Sequence, residues 1–248
     1  MDSPKLFCWP DRLQELLLRA SILKGDAARI AWEEWTADAD FEDLDEGSVR
    51  LLPEVYTNLR SFGVDHEYFR RIKGIKRKTW LHNQLLFHQA TTAIGILQAR
   101  GMETMVTKGP ALVLRHYRDL GRRPMADFDI VIKKERVEEA IEALHTNGFR
   151  LKDPHQNVGD LSRTHAVSYI NETGRQFDLH WQMIPGCTDG RLFWDDATRL
   201  TIRETTTLAP SPTDLLFHVC LHGLRLNRVA PLRWIVDTSV ITGDSQID

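Results

Sequence analysis

Cysteine is scarce in this chain and poorly placed for cross-linking. Cys8, Cys187 and Cys220 stand far apart among 248 residues, and no C-x-x-C pair occurs. That leaves no material for a disulfide framework and fits reduced thiols. Long apolar runs are lacking too; none approaches the ~20 residues a membrane helix needs. The first ten residues, M-D-S-P-K-L-F-C-W-P, hold no apolar segment of the kind a secretion signal carries. A soluble, cytoplasmic protein with no membrane partner is expected. Charge of one sign is also missing. Lys and Arg number 32 against 35 Asp and Glu, a net −3, so no domain-wide basic field marks a nucleic-acid partner. Internal repeats and low-complexity tracts are absent.

What is present is ordinary globular material, 42% hydrophobic and 27% charged, enough for one or two domains with a sizeable core. The first hundred residues carry apolar residues at helical spacing, as in L-Q-E-L-L-L-R-A-S-I-L and A-A-R-I-A-W-E-E-W. The acidic run 38–47 reads as a polar connector, followed by a helix over 48–62 that stops at Gly63. A long helical pattern covers 66–100, with a break expected at Gly74 and a stop at Gly101. Its basic stretch R-R-I-K-G-I-K-R-K reads as a solvated face, with a nucleic-acid or phosphate contact as the alternative.

After Gly101 the pattern changes. M-E-T-M-V-T and A-D-F-D-I-V-I read as strands, separated by a helix opening at K-G-P, and K-E-R-V-E-E-A-I-E-A-L-H-T-N-G as an amphipathic helix. H-A-V-S-Y-I and R-Q-F-D-L-H-W form two strands around a polar turn at 171–174. L-T-I-R-E-T-T-T-L reads as one further strand, and helices follow from Ser211 and from near Pro231. The expected class is α+β. It divides into helices over 1–100, a small α/β core over 101–209 and helices over 210–248.

Two aspartates inside an apolar strand need an explanation, because a buried unpaired carboxylate is costly. Residues two apart on a strand share a face, so Asp127 and Asp129 project together while Phe128, Ile130 and Ile132 face the core. Hard cations with oxygen ligands, Mg2+ above all, require such a pair. In Q-F-D-L-H-W a third acid, Asp178, again interrupts an apolar alternation. If its strand neighbours the first, three carboxylates converge and can hold two ions about 4 Å apart, the geometry of in-line phosphoryl or nucleotidyl transfer. His180 shares the face of Asp178 and is placed to contact substrate or orient a ligand. Upstream, Gly109 lies at a strand-to-helix junction where a phosphate can approach the backbone. Lys108 can neutralise a triphosphate there, and Arg122 and Arg123 stand just before the acidic strand for the same purpose. His218 and His222, four apart on one helix, read as packing residues, and the seven tryptophans as core anchors.

Taken together, K-G at a helix start, R-P-M-A-D-F-D-I-V-I and F-D-L-H-W resemble the DNA-polymerase-β-like nucleotidyltransferase superfamily, and within it a group of uncharacterised bacterial nucleotidyltransferases. L-L-P-E-V-Y-T-N-L-R before the core, and D-L-L-F-H-V-C-L-H-G and L-R-W-I-V-D after it, extend the resemblance over most of the chain from Leu51. It implies a mixed sheet with flanking helices. It also implies transfer of a nucleoside monophosphate from an NTP to an acceptor, with Mg2+ or Mn2+ as cofactor and release of pyrophosphate. Asp127 and Asp129 map to metal ligands, Asp178 to the third carboxylate and potential base, and Lys108–Gly109 to the phosphate turn. One departure is Pro110, where the superfamily usually has a serine that touches phosphate. The acceptor, whether a small molecule, a protein or RNA, has no signature here. The competing expectation is a non-catalytic nucleotide-binding or protein-interaction module on the same fold.

Overall fold

The computed structural model describes residues 9–154, 164–170, 174, 176–187, 191, 193–224, 232–244 and 247. The expected polar turn at 171–174, apart from Gly174, and the Pro231 start of the last helix lie outside the described residues. The chain is α+β, as its pattern indicates, and it forms two compact units. One comprises residues 1–81, 116–124 and 219–248; the other comprises 82–115 and 125–218. The expected breaks at Gly101 and Ala209 mark changes of element type, whereas compactness divides the chain elsewhere and twice returns it to the first unit.

The first unit is helical. It contains α1 (Arg12–Ile22), α2 (Gly25–Asp38), α3 (Glu46–Ser61), the start of α4 (Phe69–Ala99) and α8 (Arg233–Asp244). Asp11 opens α1 with a reciprocal cap to Gln14, and Asp45 caps α3 through the Ser48 amide. Asn58 Nδ2 donates to the carbonyls of Ala20 and Leu23 at 2.9 and 2.7 Å, so α3 satisfies the acceptors left at the end of α1. Trp32 and Trp35 are fully buried and stacked 5.0 Å apart in a core with Leu17, Leu52, Ile72 and Val236. Gly74 does not break α4, which is continuous; one glycine costs only about 1 kcal/mol against alanine in a helix.

Two salt-bridged arginines fix residues 116–124 within this unit. Arg122 forks onto Glu54 at 2.8 and 2.6 Å. Arg123 forks onto Asp237 of α8, Nε to Oδ1 and Nη2 to Oδ2, both at 2.8 Å. The Tyr117 hydroxyl also donates to Asp237 Oδ1 at 2.7 Å. The side chains of Arg123 and Asp237 are 7% and 3% exposed.

The second unit is built on a seven-stranded mixed sheet ordered β3-β4-β5-β2-β1-β7-β6. The strands are β1 (Met105–Val106), β2 (Asp129–Val131), β3 (Arg150–Leu151), β4 (Ala166–Ile170), β5 (Gln176–His180), β6 (Thr198–Ile202) and β7 (Thr205–Ala209). Between β1 and β2 come α5 (Lys108–Leu112) and a π-helical turn, Val113–Tyr117; α6 (Val137–Thr146) follows β2, and α7 (Pro212–Gly223) follows β7. The one strand expected over 200–208 is instead a hairpin, with Arg203 at φ 53° in its two-residue turn. Neither Arg203 nor Glu204 is a residue that announces such a turn. Phe87 packs edge-on against Phe128, and Tyr169 stacks on Phe177, to fill the sheet's apolar flanks.

Candidate functional site

The site is assembled at the middle of the sheet. β2 runs parallel to β5 and antiparallel to β1, so it is paired on both edges. The register with β5 sets Asp129 opposite Asp178 and Val131 opposite His180. Alternation then turns Asp129, Asp178 and His180 to one face, with Ile130 and Leu179 on the other. One ligand atom from each of the three lies within 4.8 Å of the other two, and among the described residues this is the one such metal-competent cluster.

Asp129 is 1% exposed, the deepest acid of the three. Lys108 Nζ donates to its Oδ1 at 2.6 Å. His180 Nε2 lies 2.9 Å from the same oxygen, yet it has no aligned hydrogen bond and is sealed from solvent. Burial pushes the Asp129 carboxyl up. The Lys108 ammonium, and after it His180, outweigh burial and hold it well below the usual carboxylate range. Asp129 is therefore ionised at neutral pH, with one cation already on it. Asp178, half-buried, leaves its carboxylate more open.

Lys108 opens α5 at φ 49°, in the left-handed region that a residue with a Cβ adopts at a cost of order 1–3 kcal/mol. That backbone carries its side chain back to Asp129. Gly109 and Pro110 follow, both buried. Thr107, the residue before, caps nothing with its side chain; its buried Oγ1 pairs with His218 Nδ1 at 3.1 Å. His218 thus serves packing and polar pairing inside α7, and His222 is exposed one turn on.

Asp127 lies in the coil before β2 and is half-buried. The strand begins only at Asp129, and Asp127 is outside the cluster of three. Arg123 belongs to the other unit, its guanidinium on Asp237. Of the residues expected from the sequence, the structure gathers Lys108, Asp129, Asp178 and His180. The two features the sequence did not disclose are the Lys108–Asp129 ion pair and the nitrogen of His180 turned onto the acids. The D-x-H spacing of Asp178 and His180 on a strand was the available signal for the second.

Chemically, two carboxylates and an imidazole at this spacing are a donor set for a divalent ion, and a lysine beside them can neutralise an anionic substrate. A family model described as uncharacterised nucleotidyltransferase matches residues 48–248. No curated protein matches the chain. Among solved structures, an antigenic nucleotidyltransferase-like protein from Paracoccidioides brasiliensis aligns at 18% identity and a TM-score of 0.42, over 68% of this chain and 75% of that one.

Proposed function

Because the chain belongs to this family of uncharacterised nucleotidyltransferases, we propose that it transfers a nucleoside monophosphate from an NTP to an acceptor hydroxyl, with a divalent metal ion as cofactor. The observation that carries the reading is the convergence of Asp129 and Asp178 from separate strands, with Lys108 already drawn to the deeper acid. Asp129 and Asp178 would hold the metal, joined by Asp127 once substrate arrives. The nitrogen of His180, sealed from solvent and 2.9 Å from Asp129 Oδ1, supports reading the cluster as one that fits an ion. The metal, when bound, supplies positive charge against the triphosphate and the acceptor oxygen.

The chain's own residues do the remainder. Lys108 exchanges Asp129 for a phosphate oxygen and neutralises the leaving group, close to the Gly109 backbone. Asp178, the more open acid, accepts the proton of the acceptor hydroxyl. The acceptor oxygen bonds to the α-phosphorus, the bond from that phosphorus to the bridging oxygen breaks, and pyrophosphate leaves. Positioning and charge neutralisation supply most of the acceleration. The polymerase-β type of core and a bacterial setting are part of the same proposal.

The test is pyrophosphate release from each of the four NTPs, with Mg2+ or Mn2+, over a panel of small-molecule, protein and RNA acceptors. Asp129→Asn and Asp178→Asn are each expected to reduce release at least about a thousandfold while circular dichroism stays native. Full activity in either variant overturns the assignment. Nucleotide binding in the wild type with no release across the panel would favour a non-catalytic nucleotide-binding module.

A further inference from the structure

His180 is 7% exposed, and its Nε2 is sealed from water with no aligned hydrogen-bond partner. Buried polar atoms in native proteins are almost always paired, so this one calls for a cause. It does not lack a neighbour: Asp129 Oδ1 is 2.9 Å away. What it lacks is the alignment a proton between the two atoms would require. At 2.9 Å the two atoms are as close as two ligands of one ion, so the nitrogen is placed to donate its lone pair to an ion that both groups share.

The surroundings support the same view. β5 presents Asp178 and His180 on one face, and the ligand atoms of Asp129, Asp178 and His180 are mutually within 4.8 Å. Two donors of one ion, with bonds of about 2.1 Å, are at most about 4.2 Å apart, so sub-ångström closure brings all three onto a single centre. The two carboxylates balance one divalent charge and release Lys108 from Asp129. The donor set is then two oxygens and one imidazole nitrogen. Mg2+ favours oxygen and keeps its waters; imidazole is a ligand for first-row transition ions.

We propose that His180 Nε2 is a metal ligand together with Asp129 and Asp178, and that this nitrogen makes the site selective for a transition ion of the Mn2+ class over Mg2+. The proposal rests on reading the cluster as a divalent-metal centre, but not on the reaction carried out there.

The experiment uses the untagged full chain, stripped of metal and titrated with Mn2+ while the EPR signal of the free ion is followed. One tight Mn2+ per chain is expected, displaced by Mg2+ only at about a hundredfold excess or more. Pulsed EPR of the bound ion should show modulation from a directly coordinated nitrogen. In His180→Gln that modulation should vanish and Mn2+ affinity should fall at least about tenfold, with Mg2+ affinity changed less than about threefold. Asp178→Asn, which leaves His180 in place, should weaken both ions, locating the signal at this cluster should His180→Gln fail to fold. Bound Mn2+ without nitrogen modulation, or an unchanged preference in His180→Gln, overturns the inference while leaving the metal centre intact. A wild type that binds no divalent ion, with or without NTP, overturns both. Nitrogen modulation without pyrophosphate release upholds His180 as a ligand and sinks the proposed reaction alone.

Discussion

Removing the carboxylate of Asp237 tests what Arg123 does. The pair is almost wholly buried, with both guanidinium contacts at 2.8 Å and the Tyr117 hydroxyl on the same carboxylate. In Asp237→Asn the guanidinium keeps its charge in a desolvated place and loses the carboxylate it forks onto. Breaking one side of a buried pair costs about 3–5 kcal/mol, a large part of the about 5–15 kcal/mol by which domains are stable. Arg233, half-buried with its Nε sealed from solvent and pushed down to about 9 mainly by burial and next by Arg123, is helped by the same carboxylate, so its loss compounds the effect. The assay is urea unfolding followed by the fluorescence of the stacked Trp32–Trp35 pair, which reports on the unit concerned. Asp237→Asn should cost about 4 kcal/mol, whereas Tyr117→Phe, Arg123→Met and Asp237→Leu combined should cost under about 2 kcal/mol, because the Arg123 charge leaves with its partner and Arg233 loses its repulsion from Arg123 along with its attraction to Asp237. A single-variant cost below about 1 kcal/mol, or strict additivity in the triple variant, would refute the reasoning. If Arg123 instead gripped a phosphate, its replacement would raise the KM for NTP with stability unchanged.

The same carboxyl gives a pH dependence. Burial raises it, but Arg123 and then Arg233 and Tyr117 hold it below its usual range. Its folded value is below the unfolded ~3.9, so its contribution is complete above about pH 4 and is lost as pH falls through the folded value; acid melting curves of wild type and Asp237→Asn should converge there. Lys108→Met removes the cation already on Asp129, and should tighten Mn2+ binding to the nucleotide-free chain at least about threefold while slowing pyrophosphate release about a hundredfold or more, by titration and turnover assay. Thr107→Val keeps the shape but deletes the buried bond to His218, at a cost of about 1–2 kcal/mol in a thermal melt.

The acids and their faces were legible because side-chain alternation is a local property. F-D-L-H spells out an apolar strand with Asp178 and His180 turned the same way, and the structure pairs it with β2. The extent of β2 was not legible. Aspartate's poor strand propensity prevailed at Asp127, and the strand starts two residues later. The β6–β7 hairpin escaped because its tight turn is built from Arg203 and Glu204. The division into units was hidden for another reason. Periodicity tells which residues face inward, but not that Arg123 reaches an aspartate 114 positions away. Nor does it reveal which of several cations an acid will choose, so Lys108, Arg122 and Arg123 looked equivalent, and only Lys108 meets Asp129.

The backbone at position 108 separates two histories open to a sequence of this kind. Glycine would rest there without penalty, and drift under selection for backbone ease alone would favour it. Lysine endures at such a place only while its ammonium is wanted. Lys108→Gly should therefore relax the backbone yet leave the chain chemically mute and less stable, because the buried carboxylate of Asp129 loses its cation.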